Sequence, residues 1–435
     1  MHPTVTRSPS GYSRAMPSDD DPSLPSDPPS ESGSQAPIDG IVDPAFRVVE
    51  EAFRENFRSR DEVGGAVCVF VDGKPVVDLW GGYVDRAHTR PWERDSLVNA
   101  YSVGKGLTSM LVLSLVERGE LSLDAPVAER WPEFAAEGKE HTTLRMLLSH
   151  QAGLPGVRET LPEGAMLNWD MMCSALSSQA PYWEPGSAHG YHVNTHGFLN
   201  GEMVRRALGE GSFGDAFQDR VARPHNADFH IGLPASQHAR VAPVVEAPRP
   251  QTTEKISALE MAKKHFGSGD PETDAMLACI YFNPSGVSGF GIVNTPGWRS
   301  ASIPSTNGHG TARAVASLYD TFMNKDVSEG GFVGEGLRAE ATSIVSDGTD
   351  RVLRKPSRFG LGFQLSQKTR RIGGGEHAYG HFGYGGTLGF ADPESGVAFG
   401  YLMNRPGERW QTPRTNVLVE AVYEALGRPI PSAQS

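Results

Sequence analysis

Two β-hairpin signals stand near opposite ends of this chain, and a chain with strands at both ends must bring those ends together. Near the N-terminus, GGAVCVFVDGKPVVDLWGG sets β-rich runs on either side of Asp72-Gly73, the mark of a type I′ turn. Near the C-terminus, TLGFADPESGVAFGYLMN turns at Pro393–Gly396. An isolated hairpin is marginal in water, so each pair of strands needs further partners. Helix patterns flank them: DPAFRVVEEAFRENFRSR, with Phe46, Val49, Phe53 and Phe57 at helical spacing, and PRTNVLVEAVYEALG. From about Pro126 to Asn324 the chain reads as helices such as GFLNGEMVRRALG and GTARAVASLYDTFMN, joined by Pro/Gly-rich loops. The simplest assembly is one antiparallel sheet built from both ends, flanked by the terminal helices, with a helical region beside it.

The expected organisation is a disordered tail over residues 1–40 and one domain over 41–430. Its sheet region takes about 41–125 and 310–430, and its helical region about 126–310. DDDPSLPSDPPSESGSQ has hardly an apolar side chain with which to offset the entropy of ordering. Met16 offers an alternative start. A formal charge of −12, with no Lys/Arg-rich run, argues against nucleic acid or an anionic membrane as partner. The three cysteines, Cys68, Cys173 and Cys279, lie far apart, which suggests buried thiols in a reducing, cytoplasmic setting. No signal peptide or membrane span is visible.

One stretch resists a structural explanation. NAYSVGKGLTSMLVLSLVERG (99–119) is a long apolar helix pattern with Gly104 and Gly106 at its entrance, each costing about 1 kcal/mol relative to alanine. Ser102 and Lys105 are one helical turn apart, so a lysine of lowered pKa could accept the serine's proton at a helix N-terminus. The two glycines would then open the approach for a substrate. The spacing alone is weak: nine lysines give about one chance S-x-x-K, and a capping serine with a solvated lysine fits as well. Two further stretches add to it: Tyr191 in EPGSAHGYHVNTHGFLNG, and His381-Phe382-Gly383 in YGHFGYGGTLGF.

In this order the three stretches resemble the serine β-lactamase and penicillin-binding-protein superfamily, closest to its class C-like branch, the family VIII carboxylesterases. The resemblance runs from about Asp43 to Gly427 and extends to GELSLDAPV, LRMLLSHQAGLP, NGHGTARAVASLY and FGLGFQL. It implies an α/β (α+β) fold, an antiparallel sheet flanked by helices plus an all-helical region, with the site between them. It implies Ser102 as acylated nucleophile, with Lys105 and Tyr191 as the proton-transfer pair. The backbone N–H groups of Ser102 and Tyr384 would form the oxyanion hole. His381, Phe382 and Gly383 stand where β-lactamases carry Lys-Thr-Gly, and Trp183 and Asn194 would help to line the substrate site. No cofactor or metal is implied, and the partner is a small ester or acyl substrate.

Two departures shape the expected substrate. The third position of the Tyr-x-Asn pattern is Val193, with Asn194 one residue late, and His381 and Phe382 replace the Lys and Thr that help hold a β-lactam carboxylate. Both favour neutral esters. A β-lactamase or D-alanyl peptidase, an acyltransferase of secondary metabolism, and a catalytically inactive binding protein on the same fold are the alternatives. No G-x-S-x-G is present, so an α/β-hydrolase nucleophile elbow has no candidate. His189, His192 and His196 crowd one stretch, but without H-E-x-x-H or a nearby cysteine they read as residues around Tyr191 rather than zinc ligands.

Overall fold

Both hairpins form where the sequence places them. In the computed structural model, which describes residues 36–430 apart from 210, 246–256, 285 and 409, β2 (Gly64–Val71) and β3 (Lys74–Gly82) flank Asp72-Gly73. Both turn residues have positive φ, 47° and 76°, as a type I′ turn requires. β11 (Leu388–Asp392) and β12 (Val397–Met403) form the second hairpin. β12 lies antiparallel on β2, from Val397 opposite Val71 to Met403 opposite Gly65, so the two ends of the chain share one sheet.

That sheet has nine strands in the order β1-β3-β2-β12-β11-β10-β9-β8-β7, with β1 at Ile38–Val42, β7 at Ser346–Thr349, β8 at Pro356–Phe359, β9 at Gln364–Leu365 and β10 at Tyr379–Phe382. Every pairing in it is antiparallel. A small second sheet joins β4 (Val98–Asn99), β6 (His309–Gly310) and β5 (Phe229–His230).

Strand periodicity sorts the two cores. Val67, Val69, Phe399 and Tyr401 face one side, under helices Arg47–Ser59 and Pro413–Ala425, with Phe53, Leu418 and Val422. Ala66, Cys68, Ala398 and Leu402 face the other, under helices Val103–Glu117 and Ala312–Asn324. The second face admits a helix closely because Gly400 has no side chain: a Cβ there would sit 2.3 Å from the carbonyl oxygen of Ala312.

The fold class is therefore the expected one, an antiparallel sheet with helices on both faces. The tail boundary moves. Residues 1–35 of the expected tail lie outside the described residues, but Ile38–Val42 is strand, not tail. Asp39 and Gly40 mask its β signal, and Gly40 is needed because a Cβ there would sit 2.1 Å from the Asp78 carbonyl oxygen. Within LRMLLSHQAGLP the helix is short, Leu144–Leu148. Cys68 and Cys173 are buried free thiols, and Cys279 is partly exposed. Among the described residues no helix is long and apolar enough to cross a membrane.

Candidate active site

The nucleophile candidate sits at a strained corner. Tyr101 has φ of 50°, a conformation that costs a bulky residue about 1–3 kcal/mol. Neighbours hold it there: Ala100 N–H donates to Gly308 (2.7 Å), and the Thr387 hydroxyl donates to the Ala100 carbonyl (3.1 Å). The turn delivers Ser102 to the N-cap of helix Val103–Glu117, yet its side chain caps nothing. Instead Ser102 Oγ lies 3.0 Å from Lys105 Nζ. The alternative of a capping serine with a solvated lysine does not describe this corner, because Lys105 is 0% exposed.

The glycines at the helix entrance serve packing. A Cβ on Gly104 would lie 2.9 Å from the Pro304 carbonyl oxygen, and one on Gly106 would lie 2.2 Å from the Tyr319 hydroxyl. They are not an opening for substrate. Gly383 does control space at Ser102: a Cβ there would meet Ala100 O at 2.7 Å and the Ser102 amide nitrogen at 3.3 Å. Its bareness lets the end of β10 lie against the start of the helix, bringing Tyr384 beside Ser102. The Tyr101 and Tyr384 rings pack edge to face, 5.3 Å apart.

Burial, with no carboxylate to offset it, holds the Lys105 amine well below its usual range. A neutral amine has two hydrogens and one lone pair. Lys105 Nζ donates to the carbonyls of Val193 (2.7 Å) and Ser305 (3.0 Å); in the neutral form these take both hydrogens and the lone pair faces the Ser102 hydroxyl. Val193, the departure from Tyr-x-Asn, thus enters through its backbone. Asn194 is committed elsewhere: its Oδ1 accepts from Ser288 (3.0 Å) and Thr306 (3.1 Å), and its Nδ2 donates to Ile280 O (3.3 Å).

The Tyr191 ring lies 4.9 Å from Lys105 Nζ and stacks parallel to Phe359 at 6.0 Å. Its hydroxyl is buried and makes no hydrogen bond of ordinary geometry, although Ser102 is near enough to favour the ionised form. Burial dominates and pushes the phenol up, so it stays protonated. Its backbone N–H donates to both oxygens of the fully buried Asp350 (3.1 and 3.2 Å). Asp350 also accepts from Val352 N (2.8 Å), Leu353 N (2.8 Å) and the Ser357 hydroxyl (2.7 Å). Sequence reasoning missed Asp350, since a lone Asp after a short strand carries no periodic or motif signal.

The histidines divide by tautomer, assigned from their hydrogen bonds. His192 Nε2 accepts from Leu154 N (3.0 Å) and its Nδ1 donates to Gly190 O (2.6 Å), so both nitrogens are spent on the backbone. Ser357 gives its only hydrogen to Asp350, so His189 Nε2, 2.9 Å away, is the donor to Ser357. His150 Nδ1 accepts from His192 N (3.1 Å), and its ring packs edge to face on Tyr191 at 5.1 Å. No metal-holding group of His, Cys, Asp or Glu occurs among the described residues.

On β10, adjacent side chains part. Phe382 points into the core beneath helix Pro413–Ala425, away from Ser102. His381 faces the site, its ring 5.8 Å from that of Tyr191. His381 Nδ1 donates to Phe382 O (2.6 Å), and its Nε2 is buried without a partner. Burial holds its pKa well below the usual range. It therefore presents a lone pair, not a cation. Trp183 is buried, its Nε1 donating to Ala188 O (2.9 Å), with its ring edge to face on His192.

Ser102, Lys105 and Tyr191 thus lie together beside the end of β10, and comparison with known proteins shows the class of protein. The chain belongs to the beta-lactamase family, whose sequence pattern it matches over residues 49–423, and it is a serine hydrolase. It is 34% identical over 379 residues to the esterase/beta-lactamase LipL of Mycobacterium tuberculosis, covering 84% of this chain and 82% of that protein. Among solved structures it resembles a family VIII carboxylesterase (TM-score 0.78, 35% identity, 89% of this chain and 100% of the other). It also resembles a penicillin-binding-protein homologue from Caulobacter crescentus (TM-score 0.77, 33% identity, 89% and 100%).

Proposed function

We propose that this protein is an esterase that cleaves neutral short-chain carboxylic esters through an acyl-enzyme on Ser102. The observation that carries the reading is the buried Lys105 amine, with both hydrogens held by carbonyls and its lone pair left for the Ser102 hydroxyl. Ser102 Oγ attacks the acyl carbon while Lys105 Nζ takes its proton. The developing oxyanion is held by the N–H groups of Ser102 and Tyr384. Tyr191 gives its proton to the departing alcohol and regains one from the Lys105 ammonium. Water then attacks the acyl-enzyme, and the same pair works in reverse.

The substrate follows from β10. A penicillin carboxylate would lie against this strand, where the His381 lone pair offers no donor. Losing one charge-assisted hydrogen bond costs roughly 1.5–3 kcal/mol, about 10- to 150-fold. The test has two parts. A fluorophosphonate is expected to modify Ser102 and no other serine, as read by peptide mapping. The kcat/KM for p-nitrophenyl butyrate is expected to exceed that for benzylpenicillin on the same preparation. Modification elsewhere removes the acyl-enzyme assignment; a penicillin value at or above the ester's turns the reading towards a β-lactamase.

A further inference from the structure

Residues 351–371, RVLRKPSRFGLGFQLSQKTRR, hold seven cationic side chains and no acidic one, within a chain of formal charge −12. No two neighbouring cations form a long run, so the bias is dispersed in sequence. The fold gathers part of it around Trp410. The Lys355 ammonium lies 5.6 Å from the Trp410 ring centroid and the Arg370 guanidinium 5.7 Å from it. The same indole packs edge to face on Tyr191, 5.5 Å away. Two ring contacts thus connect Arg370 to Tyr191.

Arg370 is held for this position. It closes a tight turn in which Gln367 and Arg370 exchange backbone hydrogen bonds (3.0 and 3.1 Å). With its amide oxygen facing its donors, the Gln367 side chain accepts from Arg370 Nη2 at 2.9 Å. Gln411 Nε2 donates to the Arg371 carbonyl (2.9 Å), tying the turn to the segment that carries Trp410. Among the described residues Arg370 has no carboxylate at ion-pair distance; the nearby Asp350 already accepts five protein hydrogen bonds. A guanidinium stacked on an indole keeps its planar fork of donors available for a carboxylate.

We propose that Arg370, against the Trp410 ring that Lys355 also meets, is an anion-binding subsite that selects esters carrying a carboxylate at the far end of the acyl chain. The inference rests on the acyl-enzyme reading and extends it. The strand beside Ser102 rejects a charge next to the acyl carbon, whereas this subsite receives one several atoms further out. Half-esters of small dicarboxylic acids have that form. The exposed Arg351, Arg354 and Arg371 add to the positive charge of the same stretch.

The test compares mono-4-nitrophenyl glutarate with 4-nitrophenyl pentanoate, which share a chain length and differ in a terminal carboxylate or methyl. The glutarate is expected to show a kcat/KM about tenfold higher at low ionic strength, with the advantage shrinking in added salt. Arg370→Gln is expected to lower the glutarate-to-pentanoate ratio to about one. Equal values in the wild type overturn the proposal. So does an Arg370→Gln variant that slows both esters alike, for then Arg370 serves Asp350 and Tyr191 instead of substrate. If that variant does not fold, the salt dependence of the wild-type ratio decides. Failure of fluorophosphonate to label Ser102 would strike the acyl-enzyme reading itself, and this inference with it.

Discussion

At the scale of single residues, what sets this site apart is one fully buried amine. Burial lowers the Lys105 pKa well below its usual range in the folded chain, and the unfolded chain lacks that burial. The unfolded state thus binds the extra proton, and stability rises with pH from the folded pKa up to about 10.5. Below the folded pKa the penalty is complete and constant. Between pH 7 and 10 the melting temperature of the wild type is expected to gain on that of Lys105→Met; parallel curves would mean that the amine is charged in the fold. Turnover of p-nitrophenyl butyrate by Lys105→Ala and by Tyr191→Phe is expected to fall by about 10²-fold or more each. The double variant should lose little beyond the worse single one, because the two groups act as a unit. A folded Tyr191→Phe variant with near wild-type turnover would remove the tyrosine from the mechanism.

At the scale of elements, the helix that carries Ser102 and Lys105 is set by close packing instead of helix propensity. Gly106→Ala adds a good helix former, worth about 1 kcal/mol in an exposed helix. Here its methyl would collide with the buried Tyr319 hydroxyl. Overpacking of that kind costs roughly 1–3 kcal/mol, so the variant is expected to unfold at lower urea than the wild type. A stabilised Gly106→Ala would show that Tyr319 yields freely. This case also marks what the sequence makes legible. Ser102 and Lys105 are a turn apart on one helix, so their pairing is local and can be read. The hairpins announce themselves through turn residues and alternation. Gly104 and Gly106 were visible but their cause was not, since Pro304 and Tyr319 lie about two hundred positions away. Asp350 reaches Tyr191 across 159 positions, and Arg370 reaches it through Trp410; neither link leaves a spacing to detect. His381 was legible as a departure from Lys-Thr-Gly. Its tautomer was not, because that is fixed by the geometry of one carbonyl.

At the scale of the whole molecule, buried neutral histidines make the protein sensitive to acid. Burial holds His150, His196 and His381 well below the usual range, His192 at about 4 and His309 at about 3. The unfolded chain protonates these groups as pH falls through 6.5, and the folded chain does not. Stability is therefore lost from about pH 6.5 downwards until the folded pKa values are reached, each group contributing about 1.4 kcal/mol per pH unit. Urea unfolding at pH 7, 6 and 5 is expected to show a steep decline, and a flat profile over that range would mean that these rings are hydrated or charged in the fold. The shared sheet has another consequence, which concerns synthesis. Tyr401 hydrogen-bonds Glu62 across 339 positions, and β2 finds its second neighbour only in β12. At roughly 5–20 residues per second, a ribosome needs on the order of tens of seconds to supply that neighbour. Throughout that time the nascent β2 edge is open and Ser102 has no β10 beside it. The first hairpin therefore has an edge open to pairing with another chain until its own last hairpin emerges.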